Sequence, residues 1–134
     1  MKKINVTVEV GKHNHSAFIE LLPGCTATGN TLAEIKKNMS EAIAIHLNFM
    51  RKDGDSIPKE FREKYELVFQ IDLESFLALY KGIISQSALA RITGINESLM
   101  RQYFSGNKKP RQAQIQKIEE GIHRLGEELI SVHL

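Results

Sequence analysis

The sequence predicts an α+β protein in two parts: a small β-β-β-α-β unit over residues 1–71, then an all-helical unit over residues 72–134. Near the N-terminus apolar and polar residues alternate, the period of a half-buried strand. From Thr31 apolar residues instead recur every three or four positions, the period of an amphipathic helix. Beyond Asp72 the helical period persists, broken at short intervals by glycines and a proline. The 134 residues allow one domain or two small ones, and 42% apolar with 25% charged residues argues against a disordered chain.

Ile4, Val6, Val8 and Val10 alternate with Asn5, Thr7 and Glu9 as the first strand. Gly11 to His15 reads as a turn into a second strand from Ser16 to Leu22. Pro23-Gly24 is a turn, and Cys25 to Thr28 forms a short third strand before Gly29. His13 and His15 have no third or fourth ligand at a metal-binding spacing, so they read as loop residues and no metal is expected. Cys25 is the single cysteine, which rules out an internal disulfide; it reads as a small buried side chain rather than an activated nucleophile. No apolar run approaches a membrane span, and Met-Lys-Lys leads into a strand rather than the apolar centre of a signal peptide. A cytoplasmic location away from membranes is expected.

Thr31-Leu-Ala-Glu34 is a capping box. The helix it opens places Leu32, Ile35, Met39, Ala42, Ile43, Leu47 and Met50 on one face and ends near Lys52, before Asp53-Gly54-Asp55 and Pro58. Asp53, Asp55 and Glu60 do not have the spacing of an EF-hand loop and read as a solvated acidic turn. Tyr65 to Ile71 is the fourth strand.

Asp72 caps a helix that runs to Tyr80, and Lys81-Gly82 ends it. Ser85 starts the next, with Leu89, Ala90 and Thr93 inward and Gly94 at its left-handed end. Ile95 plugs the turn, and Asn96 caps a further helix with Leu99, Met100 and Tyr103 inward and Gly106 at its close. Pro110 is expected to preset the first turn of a last helix reaching about Leu129. Ile115, Ile118, Ile122, Leu125, Leu129 and Val132 follow a heptad seam on it, a stripe that either a second copy or the unit's own core would bury. Gly121 and Gly126 interrupt that helix at about 1 kcal/mol each against Ala, which points to a close helix approach or a break.

The overall charge of +2 is unevenly placed. Residues 81–111 carry six Lys/Arg against one acid, +5, while residues 1–80 sum to −1 and residues 112–134 to −2. The positive segment coincides with the two short helices, whose Gln, Leu-Ala, Gly, apolar, polar, Gly and Pro order resembles a phage-repressor helix-turn-helix. In that motif the second helix enters the major groove. Glu97, Ser98, Arg101 and Gln102 are of the types that meet base edges. Gln86, Asn107, Lys108, Lys109 and Arg111 would lie near phosphates. A homodimer joined through Ile115, Ile118, Ile122, Leu125 and Leu129 would set two reading helices about 34 Å apart, with tetramers left open.

Pro23-Gly24-Cys25, Gly29-Asn30-Thr31-Leu32-Ala33-Glu34, the Glu41–Leu47 helix and Ile57-Pro58 together resemble HicB-type antitoxins over residues 4–60. The resemblance implies a degenerate ribonuclease-H-like N-terminal fold without catalysis. It also implies capture of a small HicA-type mRNA-cleaving toxin and repression of the shared operon through operator DNA. Neither a catalytic residue nor a cofactor is expected. Three other readings stay open. The first is a regulator without a toxin partner, and the second is a C-terminal unit that serves assembly alone. The third is a nuclease, whose two-metal chemistry needs clustered carboxylates where the predicted strands offer only Glu9 and Glu20.

Overall fold

The computed structural model describes residues 1–134. Strands β1 (Lys2–Val10), β2 (His15–Phe18) and β3 (Thr26–Gly29) precede helix α1 (Leu32–Lys52), a single 3₁₀ turn at Lys59–Phe61 and strand β4 (Tyr65–Ile71). Four helices follow: α2 (Leu73–Leu79), α3 (Gln86–Thr93), α4 (Glu97–Ser105) and α5 (Gln112–Ile130). The protein is therefore α+β, and it divides into two compact units, Met1–Ser75 and Phe76–Leu134.

In the first unit the strand order is β3-β2-β1-β4. The first three strands form an antiparallel meander, with Val10 opposite His15 and Phe18 opposite Thr26. β4 returns parallel to β1 with Val6 opposite Phe69, a pairing that needs the long crossover supplied by α1. The alternation read from the sequence puts Ile4, Val6 and Val8 inside with Ala17, Ala27 and the α1 residues Ile35, Met39, Ile43 and Leu47. Phe61 closes the core and meets the Tyr65 ring edge-on at 5.1 Å.

α1 keeps both ends expected of it. Thr31 Oγ1 accepts from the Glu34 N–H at 3.1 Å. The Glu34 carboxylate accepts from Asn30 N–H, at 2.7 Å, one residue before the position a reciprocal box would use. Gly29 has a packing reason: a Cβ there would come within 3.0 Å of the Glu34 Cβ and the Ile35 nitrogen. The side chain of Asn38 adds a bond to the Thr28 carbonyl at 2.7 Å, fastening α1 to β3.

Two expectations need correction here. The second strand stops at Phe18 rather than Leu22, because Ile19 and Leu22 both turn into the core through tight turns that bond Leu22 N–H to Ile19 O and Cys25 N–H to Leu22 O. Glu20 consequently lies exposed in a turn, not on a strand. In the second unit Pro110 falls outside α5, whose N-cap is Arg111. No helix is long and apolar enough to cross a membrane.

Candidate nucleic-acid interface

The Phe76–Leu134 unit is built from short helices whose ends are fixed locally. Ser85 Oγ accepts from the Ala88 N–H at 3.0 Å and starts α3. Leu89, Ala90 and Thr93 are buried on its inner face. Gly94 ends it in the left-handed region, φ 74°, where a side chain is strained. Thr93 Oγ1 donates to Leu89 O at 2.7 Å and accepts from Ile95 N–H at 3.3 Å, bracing the turn from within. Ile95 is buried in that turn. Asn96 Oδ1 then accepts from the Ser98 and Leu99 N–H groups at 2.8 and 3.3 Å and opens α4, which holds Met100 and Tyr103 inside.

α5 fastens to the end of α3. A Cβ on Gly121 would lie 3.1 Å from Thr93 Cγ2 and 3.2 Å from Ile92 O, so this glycine marks the close approach expected of it. At Gly126 a Cβ would meet nothing within 4 Å. The Arg124 guanidinium donates to Ile92 O at 2.8 Å, a cation at the carbonyl end of α3.

On the outer side Glu97, Ser98, Arg101 and Gln102 are all exposed on one stretch of α4. Asn107, Lys108, Lys109 and Arg111 are exposed just beyond it, while Gln86 is half-buried at the start of α3. One oxygen of the Glu97 carboxylate accepts from Ser87 Oγ at 2.6 Å, which ties α4 to α3. Neither this bond nor the one from Arg124 is legible in the sequence: each joins residues too far apart for any periodic signal. Along α5, Ile118 is buried in the unit's own core, Ile115, Ile122 and Leu125 are half-buried, and Leu129 is 61% exposed.

Cys25, His13, His15 and Glu9 belong to the Met1–Ser75 unit. Cys25 is buried, and that burial pushes its thiol above the ordinary value, which disfavours the thiolate a nucleophile needs. His13 is exposed in the β1–β2 turn and His15 pairs with Val10 at the start of β2. Glu9 is exposed on β1.

Residues 3–99 match the model of a family described as the HicB-like antitoxin of bacterial toxin–antitoxin systems. The chain belongs to that family, and the match takes in the sheet unit from Lys3 onward, α2, α3 and the start of α4. An uncharacterized 14.9 kDa protein from the rep–hol intergenic region of Haemophilus phage HP1 (strain HP1c1) is 32% identical over 54 residues. That stretch is 40% of this chain and 41% of the phage protein, so the chain spans about two fifths of that relative's length.

Proposed function

We propose that this HicB-like protein neutralises a small HicA-type mRNA-cleaving toxin and represses its own operon by binding operator DNA as a homodimer. The observation that carries the DNA half is the exposed polar side of α4, with Ser98, Arg101 and Gln102, set beside Lys108, Lys109 and Arg111. α3 and α4, joined through left-handed Gly94 and buried Ile95, would then act as a helix-turn-helix with α4 as the reading helix. The net +5 over residues 81–111 supports phosphate attraction by this segment in particular. Leu125 and Leu129 extend the α5 stripe past Ile118 and would join two copies.

Family membership supports the toxin half. A β3-β2-β1-β4 sheet with a parallel fourth strand supports a degenerate ribonuclease-H-like domain. In this reading the chain has no catalytic role, and the two carboxylates considered for two-metal chemistry, Glu9 and Glu20, sit on a strand and in a turn. Coexpression with the product of the adjacent reading frame tests the reading, scored by growth and by a reporter behind the operon's own promoter. Rescued growth with a silenced reporter is expected. Toxicity unrelieved by this chain, or a reporter as active with it as without it, would overturn the corresponding half.

A further inference from the structure

Helix α1 carries more apolar surface than its sheet covers. Ile35, Met39, Ile43 and Leu47 are buried, yet Ile45 is 59% and Phe49 61% exposed, one helical turn apart on the flank of that stripe. Isolated exposed apolar residues are ordinary. These two are not isolated: they border a cleft of about 430 Å³ with buried Cys25 and half-buried His46 in its lining. The same cleft is bordered by Asp53 and Asp55, which follow the last turn of α1. Arg51 and Lys52 occupy that last turn but are not among the cleft's lining residues.

An apolar groove with two carboxylates at one end selects a definite chemistry. It suits a surface that brings an apolar anchor together with Lys or Arg, the anchor filling the groove and the cations meeting the acids. A protein that cleaves RNA must offer cations to phosphates. Covering those cations is a direct way to silence it.

We infer that the cleft between α1 and the start of β3, lined by Ile45, Phe49, Asp53 and Asp55, is the docking surface for the cationic RNA-binding face of the toxin. This inference rests on the toxin half of the proposed function. It places toxin capture wholly within the Met1–Ser75 unit, on residues distinct from those assigned to DNA. All four side chains are exposed, so changing them leaves the buried core untouched.

The test measures binding of the purified product of the adjacent reading frame to the full chain by titration calorimetry. It compares wild type, Ile45→Asp with Phe49→Asp, Asp53→Lys with Asp55→Lys, and His13→Ala as a control in the distant β1–β2 turn. Thermal melting of each variant verifies its fold. The apolar pair is expected to weaken binding by about ten-fold or more, because it removes the anchor contacts. The charge reversal is expected to weaken it by about ten-fold at low salt, an effect that shrinks as salt rises. His13→Ala is expected to bind like wild type. Folded cleft variants that bind as tightly as wild type would overturn the docking assignment and leave the antitoxin reading standing. A wild-type chain that fails to bind would remove that reading and the docking surface with it. Unchanged toxin affinity with an altered assembly state in sedimentation would mean that this face joins copies of the chain, which also overturns the assignment.

Discussion

The two long helices use their apolar stripes differently. α1, 21 residues long, buries Ile35, Met39, Ile43 and Leu47 beneath a four-stranded sheet. α5, 19 residues long, buries Ile118 and Gly121, while Leu129 and Ile130 stand open to solvent. A helix that covers a sheet completes that core within the chain, and α1 leaves Ile45 and Phe49 exposed only off the buried stripe. A helix packed chiefly on the short α3 has apolar surface left over along the stripe itself, and in the proposed function a second copy supplies its cover.

Core truncation should show the largest effects and sharpen this contrast. Met39→Ala and Met100→Ala each remove a side chain with no solvent exposure. Either is expected to lower stability by about 2–5 kcal/mol, read by chemical denaturation. The midpoint for Met39→Ala should not depend on protein concentration if the sheet unit completes its own core. Leu125→Asp with Leu129→Asp should yield monomers in sedimentation and weaken operator binding by about a hundred-fold, since each reading helix then binds alone. Persistence of a dimer in that variant would break the comparison at its centre.

The α5 glycines give a smaller and sign-changing pair. Gly121→Ala must push against Thr93 and the Ile92 carbonyl and is expected to destabilise by about 1–3 kcal/mol. Gly126→Ala enters open space and is expected to stabilise by up to about 1 kcal/mol through helix propensity. Thermal melts of the two variants should move in opposite directions. The α1 cap gives an effect of the same order as Gly126→Ala, since Thr31→Ala removes the acceptor for Glu34 N–H and should cost about 1 kcal/mol.

Features with local causes were legible in the sequence. Tyr65–Ile71 is a strand with the bounds read from it, and the helix opened by Thr31 ends at Lys52 before Asp53-Gly54. The α3–α4 turn was visible for the same reason, because Ser85, Gly94 and Asn96 each satisfy or bend the backbone beside them. The second strand overran because Phe18, Ile19, Leu21 and Leu22 lie too close together for period two to show where the chain turns inward. The Ser87–Glu97 bond and the cleft beside Ile45 and Phe49 depend on elements brought together in space. Within α1 alone those two residues merely lie off the apolar face read from the sequence.

The most direct test of α4 as a reading helix is a binding titration with the operon's own upstream DNA against random duplex, comparing wild type with Arg101→Ala and Gln102→Ala. Wild type should prefer its own DNA, with an affinity that falls steeply as salt rises. Each substitution should erode that preference by about 1–3 kcal/mol while nonspecific binding persists. Wild type and both variants binding the two DNAs equally would contradict the account.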